Sequence, residues 1–387
     1  MNKKHAIFAA AFGVLLAGCS DVEVANVETS SQNVIGFNVI GSTAETKATP
    51  INSSNLKSED FSVFCYTTKG VPFLGSVDAE YNHNGVRISW NGKKWYYSNP
   101  KEVHYWPVDD VLNFYAIYPG TTIKQSDKHY MWEFKSDFQG VHYKCLDEFN
   151  TDLPDDIQLK HKNHDVMYGI AKDQVYSTHN GVVTFHFKHI LSQIVFKAKK
   201  NLESLTVTIK DIKLHNIKQG GTFAYPEDVQ YTTAEMETSR DCWSNVAESD
   251  TYSPYIIKDG NIEVGTENTD ITVSGDSPSL LIPQTVTAWT VSSENKKTIE
   301  EADAAEESYL EVTCVLQQNG QNLTTVDADG YATIYVPFSA DWMPGKRYVY
   351  TLIFGGGYDA DGNAILDPIT FDAAVEEWGD EIHDINY

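Results

Sequence analysis

Cys19 is the residue whose type and position most directly imply a chemical event. It closes Leu16-Ala17-Gly18-Cys19, behind Lys3, Lys4 and an apolar run from Ala6 to Leu16. A charged start followed by an apolar stretch of about 7–15 residues is an export signal, too short to cross a bilayer as a helix. Small residues leading straight into a cysteine match a lipobox. That motif implies diacylation of the Cys19 sulfur, cleavage before Cys19 and acylation of the new amino terminus. One acyl chain binds a bilayer only marginally, at about 0.8 kcal/mol per buried methylene, so two or three chains are needed for a stable anchor. The expectation is an exported chain tethered through its first mature residue. This covalent lipid is the only non-protein group expected; no other cofactor is.

The remaining chemistry-bearing residues make weaker constellations. His186 and His189 invite a metal, but residues three apart on a strand face opposite sides and cannot chelate one ion together. His161, His164 and Asp165 would converge only on a helix, and satisfied or solvated histidines are the simpler reading. Asp359-Ala360-Asp361-Gly362-Asn363 resembles part of a calcium loop. Its glycine comes too early for an EF-hand and no closing glutamate follows, so a hairpin turn is expected. No G-x-S-x-G, H-E-x-x-H or P-loop occurs, and with 54 carboxylates the presence of an acidic pair decides nothing. The sequence predicts neither an enzyme nor a metal site. Trp90, Trp95, Tyr96, Tyr97, Tyr105 and Trp106 are the residues best suited to stacking on sugars. Strand alternation turns half of them inward, however, and sandwich cores use large rings freely.

The elements that position these residues read as strands. Phe61-Val63-Cys65 alternates with Ser62-Phe64-Tyr66, Leu205-Val207-Ile209 with Thr206-Thr208-Lys210, and Tyr331-Thr333-Tyr335 with Ala332-Ile334-Val336. Val, Ile, Thr and aromatics dominate these runs, and Asn91-Gly92, Gly220-Gly221 and Asp361-Gly362 are expected turns between them. The only helix expected is a short one at Glu300–Ser308. The class is all-β, with packed antiparallel sheets. Residues 1–18 are the signal, 19–32 a polar tether, 33–180 an N-terminal β-sandwich and 181–387 a C-terminal one. Val182–Lys199 is expected to be strongly strand-like and to open the second sandwich.

The formal charge is −25, and removal of residues 1–18 leaves 27 basic against 54 acidic residues, a balance of −27. Such a surface repels phosphate backbones and anionic lipid, which disfavours nucleic acid and any polybasic membrane contact. Cys65, Cys145, Cys242 and Cys314 lie far apart with no C-x-x-C pair. An oxidising compartment permits disulfides, but Cys65 and Cys314 sit in apolar runs and are expected as buried free thiols.

A series of short patterns, in order along the chain, resembles one family. An early strand at Ile35–Ile40 is followed by Thr46-Lys47-Ala48. Tyr105-Trp106-Pro107 leads into Leu112-Asn113-Phe114-Tyr115-Ala116-Ile117-Tyr118-Pro119, and Asp165-Val166-Met167-Tyr168 closes the first half. Phe185-His186-Phe187-Lys188-His189-Ile190-Leu191, Leu281-Ile282-Pro283-Gln284, Trp342-Met343-Pro344-Gly345-Lys346-Arg347 and Val375-Glu376-Glu377-Trp378 follow. The set resembles the fimbrillins, subunits of the type V pili of Bacteroidetes. The resemblance implies two tandem transthyretin-like sandwiches on an outer-membrane lipoprotein displayed at the cell surface. It also implies partners: other pilus subunits, a trypsin-like protease, and a host or bacterial surface ligand of unstated nature.

Assembly in such pilins proceeds by strand exchange. The resemblance assigns Val34, Ile35, Phe37, Val39 and Ile40 to a removable N-terminal strand, and processing to Lys47-Ala48. Lysine stands where the family commonly has arginine, which still suits a trypsin-like pocket. Only nine residues follow Trp378, a departure from the long donor tail expected of a shaft subunit, so shaft, anchor and tip roles all stay open. The alternative is a non-polymerising surface lipoprotein that binds glycans through Trp95 and Trp106.

Overall fold

The strand Phe61–Thr67 (β2) sets the layering, because six consecutive residues, Phe61 to Tyr66, are buried. Successive side chains on a strand point to opposite faces, so both faces of this one must be covered. Phe61, Val63 and Cys65 face one core, while Phe64 and Tyr66 face another. The expected alternation is present, but it separates two cores rather than a core from solvent.

The computed structural model describes residues 33–40, 56–58, 60–75, 85–120, 132–134, 140–144, 165–178, 180–247, 255–271, 279–292, 294–354, 357–366 and 370–377. They fall within one unit that runs from Asn33 to Tyr387. Apart from α1 (Ile299–Ala304) and short 3-10 turns, the described elements are strands, as the sequence predicts.

In the first sheet, β7 (Met167–Gln174), β5 (Leu112–Tyr118), β2, β3 (Val86–Trp90) and β4 (Trp95–Tyr97) are neighbours in that order. The short strand Lys188–His189 is added beside β7. One face of this sheet is covered by a two-stranded parallel ribbon, β1 (Gly36–Ile40) with β8 (Val182–His186). The opposite face meets a four-stranded sheet that includes β6 (Gly140–Lys144), β11 (Gly220–Ala224) and β12 (Trp243–Ala247). There Tyr168 packs 5.0 Å from Phe223 and Tyr115 lies 5.2 Å from Tyr225, measured between ring centroids.

The later part of the chain is a sandwich of two further sheets. One holds β9 (Ser192–Lys200), β16 (Lys346–Phe354) and β17 (Thr370–Glu377), with β9 and β16 parallel from Gln193–Arg347 to Lys200–Phe354. The other contains β13 (Tyr255–Glu263), β10 (Leu205–His215), β14 (Tyr309–Gln318) and β15 (Ala332–Pro337) in that order. Phe196, Phe338 and Tyr350 pack together between them.

One expectation is met in a divided form and one is corrected. The strand-like run Val182–Lys199 is split into three strands. Val182–His186 pairs with β1, Lys188–His189 with β7, and Ser192–Lys200 with β16, so the chain passes through three sheets in under twenty residues. β8 begins just past residue 180, where the sequence sets its domain boundary. Yet Val183, Phe185 and Phe187 are buried in the same core as β1 and β2. Gly220-Gly221 is not a turn but the start of β11. A Cβ on Gly221 would stand 3.2 Å from the Trp243 ring, so the glycine serves close sheet packing.

Other turns and the helix follow their sequence signals. Asp359 accepts from the backbone N–H groups of Asp361 and Asn363, and Gly362 has φ +75°, which makes the acidic loop a tight turn. The expected helix forms as α1, opened by a capping box in which Thr298 and Glu301 bond each other's backbone.

On the outer face of β10 and β14, charges gather that no local motif announces. Lys213 Nζ lies 2.8 Å from Glu311 Oε1, and His215 Nε2 lies 3.0 Å from Glu311 Oε2. The His215 ring stacks on Tyr309 at 4.4 Å, and the Tyr309 hydroxyl donates to Asp303 of α1 at 2.9 Å.

Cys65, Cys242 and Cys314 are free thiols, while Cys145 lies outside the described residues. Burial pushes the Cys65 thiol far above its usual range and the Cys314 thiol up to about 12. On the order of one Cys314 in ten thousand is thiolate at pH 8, and only the thiolate reacts. Iodoacetamide at pH 8 is therefore expected to leave Cys65 and Cys314 unmodified in the native chain and to modify both in urea. Peptide mapping reads the outcome, and modification of either in the native chain would contradict the burial.

Candidate functional site: the strand in the slot

The sequence around β1, Asn33-Val34-Ile35-Gly36-Phe37-Asn38-Val39-Ile40, alternates, and the structure uses that alternation. Ile35 is fully buried and Phe37 is 6% exposed, with Val39 packed at the edge of the same core. Val34 and Ile40 are 41% and 44% exposed, so these two of the five residues assigned to the removable strand face outward. Phe37 is the centre of the plug. Its ring stands 5.6 Å from Tyr97 and 6.3 Å from both Phe114 and Phe185. The edge-on and stacked geometries are those aromatic rings favour beyond simple area burial.

The backbone of β1 is held unequally on its two sides. On one side it runs parallel to β8 in register from Gly36–Val182 to Ile40–His186. Gly36 N–H donates to Gly181 O at 2.9 Å, and Phe187 N–H to Ile40 O at 3.4 Å. On the other side, among the described residues, the only pairing is one bridge, Val34 with Tyr105. It is made by Ile35 N–H to His104 O at 3.0 Å and Trp106 N–H to Asn33 O at 2.7 Å. Parallel pairing turns alternate backbone groups away from the partner, so those of Phe37 and Val39 lie on the side away from β8. β1 is thus half of a two-stranded layer, inserted by its side chains more than by its ladder.

The slot is apolar. Val183 and Phe185 of β8 face it, while His186, opposite Ile40 on the outer face, has its pKa lowered, by burial first and by nearby Lys188 second. His189 is not its partner in any shared site. It belongs to another sheet and lies 2.7 Å from the buried carboxylate of Asp165. No group of three His, Cys, Asp or Glu suited to a metal occurs among the described residues.

Trp95 and Trp106 do not form a stacking platform. Each is 6% exposed. Trp95 packs edge-on to Phe61 at 5.1 Å and Trp90 at 5.6 Å, and Trp106 packs on Phe114 at 5.8 Å. A ring with both faces against protein offers none to a sugar. Cys19, Lys47 and Ala48 lie outside the described residues. Phe185, quoted from the sequence only as part of a family motif, holds the slot together with His104 and Gly181, which the sequence did not single out. The signal for one of them was present, since Asn180-Gly181 is a turn dipeptide and both residues adopt positive φ.

Layered β-sheets with a short strand plugging an apolar slot define the class: a β-sandwich protein whose N-terminal segment completes its own core. A model of the fimbrillin-like family matches residues 46–378, and the chain belongs to that family. The fimbrium subunit Fim1C of Phocaeicola vulgatus is 24% identical over 280 residues, covering 67% of this chain and 69% of the relative. The crystal structure of a fimbrial protein from Bacteroides vulgatus superposes with a TM-score of 0.53 at 17% identity, covering 89% of this chain and 99% of the other. A fimbrilin from Porphyromonas gingivalis aligns at 9% identity and a TM-score of 0.42, over 90% and 98% of the two chains. The family read from the ordered motifs is the family found.

Proposed function

We propose that the chain is a subunit of a surface pilus, assembled when a neighbour's strand replaces β1 in its slot. One observation carries this reading: β1 supplies half of a two-stranded layer and plugs the core with Ile35 and Phe37. Its departure would uncover an apolar trench beside β8 with unpaired backbone donors and acceptors, the situation in which β-augmentation is strongest. A replacement strand with apolar residues at alternate positions would recover about 1.5–3 kcal/mol for each large side chain buried. Backbone hydrogen bonds add roughly 0.5–1.5 kcal/mol net apiece. The relation to a fimbrium subunit supports the same conclusion.

In this scheme Cys19 carries lipid and holds the exported subunit at the outer membrane. A trypsin-like protease cuts between Lys47 and Ala48, which severs the anchor and frees the far end of β1 together. The glycan-binding alternative is not favoured, because the indoles it needs are buried. The test exposes intact cells and purified Cys19→Ala chain to trypsin, followed by amino-terminal sequencing and electron microscopy. A new amino terminus at Ala48 and filaments are expected. An uncut chain, or a cut chain that stays monomeric, overturns the scheme.

A further inference from the structure

Trp106 touches the front of β1 from two directions. Its backbone N–H donates to Asn33 O at 2.7 Å. Its indole Nε1–H donates to Gly181 O at 2.9 Å, the same carbonyl that receives Gly36 N–H at 2.9 Å. The indole is seated edge-on against Phe114, and a Cβ on Gly181 would come within 3.2 Å of Nε1 and 2.9 Å of the Tyr176 ring. Gly181 has φ +80°, a conformation glycine adopts without strain, and this aims its carbonyl at both donors. Among the described residues the other end of β1 has no comparable hold: its bond outside the ladder is Phe187 N–H to Ile40 O, at 3.4 Å.

We propose that Trp106 is the positioning residue of the exchange reaction: it clamps the Asn33–Gly36 end of β1, so displacement starts at Ile40 and runs back toward Asn33. This rests on the placeholder reading of β1. A cut beyond Ile40 then frees only the loose end, and the strand stays seated until an incoming strand reaches the clamp. The slot is never left empty, which keeps its apolar trench from associating with wrong partners. Asn33 O loses its bond to Trp106 last, and the indole then keeps Gly181 O satisfied while the new strand settles.

Hydrogen exchange of the uncut full-length chain, resolved to single amides by mass spectrometry, tests the clamp without any protease. In the wild type the Gly36 amide is expected to exchange about tenfold more slowly than the Phe187 amide, the factor that one additional hydrogen bond supplies. Trp106→Phe keeps an aromatic ring and the backbone N–H but removes the indole donor. It is expected to speed Gly36 exchange about tenfold while the β2 amides, Ser62 to Tyr66, stay as slow as in the wild type. After trypsin, the variant should shed its β1 fragment on native size exclusion faster than the wild type.

Equal rates at Gly36 and Phe187 in the wild type, or unchanged Gly36 exchange in Trp106→Phe, would overturn the clamp. A general speeding that includes β2 would reduce Trp106 to ordinary core packing and overturn it as well. A chain that resists trypsin sinks the processing scheme alone, since the exchange comparison needs no cut. Should Trp106→Phe fail to fold, the wild-type comparison of Gly36 with Phe187 decides by itself.

Discussion

Phe37→Ala is expected to destabilise the uncut chain by about 3–5 kcal/mol, the range for removing a buried phenyl ring. The ring fills a pocket between Tyr97, Phe114 and Phe185, and none of these can close on the cavity without leaving its own strand position. The loss has a ceiling. β1 is paired by a ladder on one side only, so the strand can detach before the sheets unfold, and the cost then stops at the free energy that seats β1. Urea unfolding gives the total, and exchange at Gly36 shows how much of it is detachment. Asn38→Ala, one residue on and facing solvent, is expected to shift stability by less than about 0.5 kcal/mol. The same Phe37→Ala substitution acquires a second meaning once subunits assemble. A fibre in which β1 has been replaced no longer contains Phe37 in the slot, so fibre dissociation in urea should match the wild type. A fibre weakened as much as the monomer would show that β1 stays in place and that the placeholder scheme is wrong.

The N-terminal strand was legible because its signal is local. Five apolar residues in Val34–Ile40, broken by Gly36 and Asn38, fix both the strand and its buried face. The family was legible for a different reason, since ordered motifs survive where overall identity falls to 24%. Layering was not. Alternation in Phe61–Tyr66 says that two faces differ, but it cannot say that both are buried, because the covering strands β6, β11 and β12 come from distant stretches of chain. The run after residue 181 is strand-like as read, but local alternation cannot show where a run is divided, and the chain changes sheet at Phe187 and again before Ser192. Trp106 shows the limit most clearly. Its burial agrees with the core packing expected of large rings in a sandwich, but its hydrogen bond to Gly181 spans 75 residues of sequence. No local pattern contains that pairing.

The Glu311 cluster is equally invisible in sequence, since Lys213 lies 98 residues from its partner, and it predicts a specific pH response. The hydrogen bond from His215 draws the Glu311 carboxyl down from 4.5 to about 2, against the opposing effect of burial and with help from Lys213. For Lys213 burial acts first and would lower its pKa, but the bond to Glu311 outweighs it and raises it instead. A carboxyl whose folded pKa lies below its unfolded value stabilises the native state above the unfolded pKa, and that contribution disappears as pH falls through the folded one. The loss therefore falls between pH 4.5 and about 2. A fall from 4.5 to about 2 corresponds to roughly 3 kcal/mol, and partial exposure of Lys213 brings the expectation to about 2 kcal/mol.

Glu311→Gln keeps the shape but sets an amide donor against the Lys213 ammonium or the His215 ring, and is expected to cost about 2 kcal/mol at pH 7. The pH profile of the wild type alone would be uninformative, because 54 carboxylates titrate in the same range. The difference between wild type and Glu311→Gln isolates one of them. Urea unfolding at pH 7, 4 and 2.5 should show that difference shrinking steadily toward acid. A difference that stays constant would mean that Glu311 acts through packing against Tyr309 and Tyr335 and not through its charge.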